Sequence, residues 1–115
     1  MRKRNYKGRV QKRVLSKSKE VVRTYDEIQY CYADVLQNDD IVEEFKCNVL
    51  LEGLLEGEYT SDFVCKRTNG DWFVRECVFR NHLTKPMTAK QLDLSREYWL
   101  RQGIKDFGVV IDAEK

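Results

Sequence analysis

The chain has 115 residues, of which 42% are hydrophobic, and a net charge of +2. This length suits one domain with a single core, and no segment approaches the roughly 18 consecutive apolar residues of a membrane-spanning helix. No apolar run follows the charged N-terminus, so we expect no secretory signal. The four cysteines and one histidine lack zinc-site spacing, so we expect free thiols in a cytoplasmic protein.

The basic residues are concentrated at the N-terminus. Residues 1 to 23 contain ten Lys or Arg and one acid, whereas the rest of the chain contains eleven basic and eighteen acidic residues. Such a segment can neutralise the phosphates of DNA; a solvated tail that aids solubility is the alternative. We therefore predict a basic arm at residues 1 to 23 and one domain at residues 24 to 115, and the sequence leaves open whether the arm is ordered. The candidate DNA-binding residues are Arg2, Lys3, Arg4, Lys7, Arg9, Lys12 and Arg13.

The residues after the arm predict an α/β fold. Apolar residues at helical spacing predict a first helix over residues 24 to 37. A second helix begins at Thr88, with Met87, Gln91, Leu94 and Tyr98 along one line, and ends before Gly103. The last apolar run predicts a buried strand that returns parallel to an earlier one. Strands are expected at residues 45 to 51, 59 to 66, 72 to 80 and 107 to 111.

Two acids lie on the neighbouring strands of a predicted hairpin, Asp62 on one and Glu76 on the other. Like charges directly opposite each other repel, so a divalent cation between them would explain the pair. The turn signal TNGD at residues 68 to 71 permits two registers. A two-residue turn would place Asp62 opposite Cys77 and direct the two acids to opposite faces. A three-residue loop ending at a left-handed Gly70 would place Asp62 opposite Glu76, so a shared metal site requires the longer loop or a bulge.

The order helix, three strands, helix, strand is also that of the PD-(D/E)XK nuclease core. Within that superfamily the chain resembles the N-terminal catalytic domain of the TnsA family, endonucleases that nick transposon ends. The resemblance implies a restriction-endonuclease-like mixed sheet flanked by helices, in a protein of a mobile genetic element. The segments that carry it are TYDE at 24 to 27, EYTSDF at 58 to 63, VRECV at 74 to 78 and REYWLRQGI at 96 to 104.

The resemblance also implies a site. In the family a helix acid and two strand acids surround one or two magnesium or manganese ions, and these roles would fall to Glu27, Asp62 and Glu76. The backbone carbonyl of Cys77 would be a further ligand. Such ions position a phosphate and lower the pKa of an attacking water. The implied partners are DNA and a transposase or other mobile-element protein; a homo-oligomer is compatible with the family, and no membrane is involved.

One motif position departs from the family. A lysine two residues beyond the second strand acid would orient the attacking water and add positive charge at the transition state, and here that position is Val78. A cation from elsewhere could replace it, and the candidates are Lys90, Arg80 and Lys46. The sequence therefore predicts a metal-dependent DNA endonuclease domain whose hydrolytic activity is in question. The alternative is a non-catalytic DNA-binding or protein-docking module on the same fold.

Two of the acids also have purely structural explanations. Glu27 could complete a capping box with Thr24 at the start of the first helix, which needs no metal. Glu76 could form a surface ion pair with Arg75 or Arg80, of small energetic value. Asp62 adjoins the apolar Phe63 and Val64 within a predicted strand, which favours a functional role.

Overall fold

The computed structural model describes residues 10 to 54 and 57 to 112. The candidate DNA-binding residues Arg2, Lys3, Arg4, Lys7 and Arg9 lie outside these ranges. Within them, no helix is long and apolar enough to cross a membrane. In chain order the elements are β1 (Gln11–Arg13), β2 (Val22–Thr24), α1 (Glu27–Asn38), β3 (Val42–Leu50), β4 (Thr60–Arg67), β5 (Trp72–Val78), a 3-10 turn (Arg80–His82), α2 (Pro86–Arg101) and β6 (Asp106–Ile111).

The main sheet has four strands in the order β3-β4-β5-β6. The first three strands are antiparallel, and β6 runs parallel to β5, which confirms the predicted α/β fold and the parallel return. The expectation that the last strand is buried was wrong. Its residues are half-buried or exposed, because β6 is the outermost strand of this sheet as described.

The two helices cover opposite faces of the sheet. Successive strand residues point to opposite faces, and the core accordingly divides into two clusters. The first contains α1 and its neighbours: Val22, Ile28, Ala33, Leu36, Val42, Phe45, Phe63, Cys65, Phe73 and Cys77. The second contains α2 and its neighbours: Leu51, Val64, Val74 and Trp99. The domain is therefore a helix–sheet–helix sandwich with β4 and β5 in the middle of its sheet.

The described part of the basic arm is ordered. Strands β1 and β2 pair antiparallel from Gln11 opposite Thr24 to Arg13 opposite Val22, so the predicted boundary after residue 23 falls inside β2. The Arg13 guanidinium binds the Asp34 carboxylate at 2.6 Å and lies over the ring of Tyr30, which ties β1 to α1. Among the candidate DNA-binding residues, Arg13 is thus engaged with the domain, whereas Lys12 is exposed.

The start of α1 differs from the prediction. Thr24 belongs to β2, and the helix begins at Glu27 with Asp26 as its N-cap. The Asp26 carboxylate accepts the Gln29 N–H at 2.8 Å, and the Gln29 side chain accepts the Tyr25 N–H at 2.8 Å. The alternative of a capping box between Thr24 and Glu27 was therefore wrong, because Asp26 is the N-cap and binds the N–H of Gln29, whose side chain accepts the N–H of the preceding Tyr25.

The hairpin between β4 and β5 has the longer loop. Lys66 pairs with Trp72, the Arg67 N–H donates to the Asp71 carbonyl at 2.7 Å, and the Gly70 N–H donates to the Arg67 carbonyl at 2.9 Å. Gly70 has a φ of +94°, a left-handed conformation that glycine adopts at little cost. Of the two registers that the turn signal permits, the structure therefore has the three-residue loop with a left-handed Gly70.

Candidate metal centre between the central strands

Strands β4 and β5 separate where the two predicted acids lie. Their ladder runs from Lys66–Trp72 to Phe63–Arg75, and Asp62 and Glu76 are the next residues on either side. In place of a further ladder pair, the Asp62 N–H donates to Glu76 Oε1 at 2.8 Å. Reciprocally, the Cys77 N–H donates to Asp62 Oδ2 at 2.7 Å. Each acid of this carboxylate pair, Asp62 and Glu76, thus binds the main chain of the other strand.

The side chains of β4 change faces at Asp62. In β4, Ser61 contacts α2 although Phe63 packs on the α1 side, whereas residues two apart in a regular strand share a face. Opposite Asp62, between Cys47–Phe63 and Val49–Ser61 in the register, Asn48 has a φ of +55°. The register stays in step on both sides of Asn48, so no residue is inserted at this point. The strand therefore turns over at Asp62.

Each carboxylate is anchored by a different helix. Gln29 in α1 donates from Nε2 to Asp62 Oδ1 at 2.8 Å, and Ser95 in α2 donates from Oγ to Glu76 Oε2 at 2.5 Å. The Gln29 amide has only one orientation available, because its oxygen already accepts the Tyr25 N–H. The expectation that the two acids share one face of the hairpin was therefore wrong. The loop sets the longer register, but Asp62 is held from the α1 side and Glu76 from the α2 side, and each carboxylate accepts a main-chain N–H of the other strand.

The carboxylate pair is buried as well as close. Asp62 is 1% exposed and Glu76 is 0% exposed. Burial, together with the negative charge of Asp62, raises the pKa of Glu76 from 4.5 to about 7, although the hydrogen bonds from Ser95 and the Asp62 N–H act in the opposite direction. Charge on Glu76 is thus held at an energetic cost that a nearby cation would relieve.

The donor chemistry of the pair suits a hard divalent cation. Magnesium is commonly bound by one or two carboxylates, with water and substrate phosphates completing its coordination. An ionised carboxylate offers about four lone-pair sites, and Glu76 accepts two hydrogen bonds. Asp62 and Glu76 are therefore the residues that could hold magnesium or manganese.

The third predicted acid does not join them. Glu27 is exposed in the first turn of α1 and lines the surface grooves on either side of that helix. Among residues 10 to 54 and 57 to 112, no group of three or more His, Cys, Asp or Glu side chains could hold a metal ion. The structure brings together Asp62 and Glu76 and leaves Glu27 outside any such group.

The position of the family lysine is filled by an apolar side chain. Val78 is 7% exposed, so its isopropyl group belongs to the core. The three replacement candidates all have exposed side chains. Arg80 donates from Nη2 to the Asp112 carbonyl at 2.9 Å, Lys90 lines a groove on the outer side of α2 with Asp93 and Leu94, and Lys46 lies on β3 opposite Val64.

The anchoring residues were missed from the sequence. Three residues of α2 are buried, and they are Gln91, Ser95 and Trp99; their four-residue spacing puts them on one helix face. The predicted apolar line included Gln91 but also Met87, which is 58% exposed, and it omitted Ser95. Two polar residues in line with a tryptophan were the available signal for a polar site beneath α2. Nothing comparable in the sequence pointed to Gln29.

Known proteins give no assignment for this site. No protein-family model matches the chain, and a search of curated proteins finds no match. Any function must therefore be argued from the residues and geometry of the site.

Proposed function

We propose that the chain is a TnsA-like nuclease domain of the PD-(D/E)XK type, which acts on DNA phosphodiesters with magnesium or manganese. The observation that carries the proposal is the carboxylate pair: two acids, 1% and 0% exposed, at the point where two central strands separate. The element order and the mixed sheet support the same proposal. They agree with the restriction-endonuclease-like core that the sequence resembles.

The burial of the pair favours a cation-binding role. Removing charged groups from water is costly unless they are paired, and a second carboxylate of the same sign adds to the cost of ionising Glu76. If these two positions served stability alone, we would expect an apolar or neutral side chain at each of them. A bound divalent cation reverses this balance, because it attracts both carboxylates at once.

The chain's own residues would divide the work at this site. Asp62 and Glu76 supply oxygen ligands, while Gln29 and Ser95 hold the two carboxylates from opposite sides of the sheet. A bound magnesium or manganese ion would neutralise charge on a phosphate and supply a more acidic water. Exposed basic residues of the arm, such as Lys12, would contact the DNA backbone without sequence preference.

A non-catalytic module is the second candidate, and Val78 is the observation that favours it. A buried valine can neither orient water nor add positive charge to a transition state. In that case the domain would bind DNA, or dock on a transposase or another mobile-element protein. The cation bound by the carboxylate pair would then stabilise the fold.

A nicking assay on supercoiled plasmid distinguishes the two candidates. With Mn²⁺ the nuclease proposal predicts open-circle product from the wild type and a loss of about 100-fold or more in Asp62→Asn, because one oxygen ligand becomes a neutral amide. Asp93→Asn, an exposed acid on α2, is the matched control and should nick like the wild type. DNA retention without nicking would favour the binding module. Nicking that survives in Asp62→Asn, or a chain that neither nicks nor binds DNA, would refute the proposal.

A further inference from the structure

A line of hydrogen bonds runs from α2 through β4 to the carboxylate pair. The indole Nε1 of Trp99 donates to Ser61 Oγ at 2.7 Å, the Ser61 and Ser95 hydroxyls are 3.1 Å apart, and Ser95 Oγ donates to Glu76 Oε2 at 2.5 Å. Trp99 is 8% exposed, and the other three residues are 0% exposed. Each member is therefore shielded from solvent and depends on its neighbours in this line.

The direction of every bond in this line follows from counting hydrogens. A serine hydroxyl carries one hydrogen, and Ser95 uses its hydrogen for Glu76. The bond between the serines must then be donated by Ser61, which leaves Ser61 as an acceptor on its other side. Trp99 satisfies that requirement, because an indole N–H can only donate. All three donors thus point towards Glu76, and the carboxylate receives a hydrogen bond of fixed direction.

Spacing along the chain explains why these residues meet. Ser95 and Trp99 are four residues apart, so they lie on the same face of α2. Ser61 precedes Asp62 and faces α2 because β4 turns over between Ser61 and Phe63. The irregularity that turns Asp62 towards α1 therefore also places Ser61 under α2, where it can connect Trp99 to Ser95.

We propose that Ser95, supported by Ser61 and Trp99, is a positioning residue that orients the Glu76 carboxylate for a divalent cation. The inference rests on the proposed metal site, and it assigns a role to three residues that touch neither the cation nor DNA. Outer partners of this kind typically change metal affinity by about 10- to 100-fold when they are removed, because the ligand is no longer held in one orientation.

Mn²⁺ affinity, measured by calorimetry, is the first test. Ser95→Ala should weaken binding by about 10- to 100-fold, Ser95→Thr should restore it by keeping the hydroxyl, and Ser61→Ala should have a smaller effect because Ser95 still donates. The matched control is Thr24→Val, because the Thr24 hydroxyl is buried with no hydrogen-bond partner among the described residues. Thr24→Val should bind Mn²⁺ like the wild type.

The indole resonances of the two tryptophans give a second test that does not depend on affinity or activity. On saturation with diamagnetic Mg²⁺, the Trp99 indole N–H resonance should shift, because its hydrogen bond leads through two serines to a metal ligand. Trp72 is 39% exposed and lies on β5 away from this line, so its indole N–H is an internal control. In Ser95→Ala saturated with Mg²⁺, the Trp99 shift should be lost.

The outcomes separate this inference from the proposed function. If the wild type binds Mn²⁺ and the binding is abolished in Asp62→Asn, the metal site stands. Equal affinity in Ser95→Ala and the wild type would then overturn only the positioning role. A lowered melting temperature with unchanged affinity per folded molecule would also overturn it, because Ser95 would then be structural. If the wild type binds no divalent cation, both proposals fail.

Discussion

The wild-type chain should lose stability as pH rises above the pH range in which carboxyl groups ordinarily titrate. Replacing Glu76 by glutamine should remove this pH dependence. Burial raises the pKa of Glu76 from 4.5 to about 7 in the folded chain, so the folded state binds this proton more tightly than the unfolded state. The free energy of unfolding therefore falls as pH rises between these two values. This sign is opposite to that of a carboxylate stabilised by a salt bridge.

The size of the change in the free energy of unfolding follows from the rise in the pKa of Glu76. One unit of pKa corresponds to about 1.4 kcal/mol, so the change from 4.5 to about 7 gives roughly 3 kcal/mol in total. Between about pH 5 and pH 8 the free energy of unfolding should fall by about 2 to 3 kcal/mol. The fall is smaller than the total because the carboxyl group of the unfolded state is already partly ionised at the lower pH. Glutamine cannot titrate, so the variant lacks this contribution at every pH.

Urea unfolding in EDTA, at about pH 5 and at about pH 8, measures this change in the free energy of unfolding. The wild type should lose about 2 to 3 kcal/mol more than Glu76→Gln between about pH 5 and pH 8. Comparing each variant with itself across pH cancels the constant cost of the substitution. Glu97→Gln, an exposed acid on α2, is the matched control and should follow the wild type. Parallel curves for the wild type and Glu76→Gln, or a wild type that gains stability with rising pH, would refute the reasoning.

Three further substitutions test the scaffold around the site by urea unfolding. Gly108→Ala should cost about 1 kcal/mol, because its Cβ would lie 3.2 Å from the Arg75 side chain, which a hydrogen bond to Asp106 holds in place; an unchanged midpoint would contradict this contact. Burial opposes ionisation of Asp106, but hydrogen bonds from Arg75 and Arg67 outweigh it and hold the pKa of Asp106 below its ordinary value of 3.8. Asp106→Asn should therefore cost up to about 1 kcal/mol at neutral pH, and the difference should vanish as pH falls below that value; a cost that persists in acid would contradict the ion pairs. Gly70→Ala should cost about 1 kcal/mol because of its positive φ, and a neutral effect would contradict the left-handed turn.

Local sequence signals predicted the hairpin strands and the C-terminal ends of the two helices well. The loop signal at residues 68 to 71 set the register because turn length and the left-handed Gly70 are decided within a few residues. Gly103 likewise ends α2 with a φ of +87°, and the Ile104 N–H closes the helix on the Trp99 carbonyl at 2.8 Å. Asp62 was identified from its place beside the apolar Phe63 and Val64, a pattern also visible within one strand.

The contacts between residues that are far apart in the sequence could not be predicted from the sequence. The Gln29 bond to Asp62 joins residues 33 apart, and the Ser95 bond to Glu76 joins residues 19 apart. The left-handed Asn48 lies inside a strand, and the change of faces at Asp62 is seen only in contacts with two helices. The α2 face was misjudged because apolar periodicity favours Met87, whereas the buried face is partly polar.

Diffraction from crystals soaked in Mn²⁺ tests the central claim most directly, since the anomalous signal locates the metal independently of any activity. The proposed site predicts one strong peak between β4 and β5, about 2 Å from an oxygen of Asp62 and about 2 Å from an oxygen of Glu76. The peak should be absent from Asp62→Asn crystals soaked in the same way. A carboxylate pair with no anomalous density in the wild type, or a peak only at surface acids, would contradict the account.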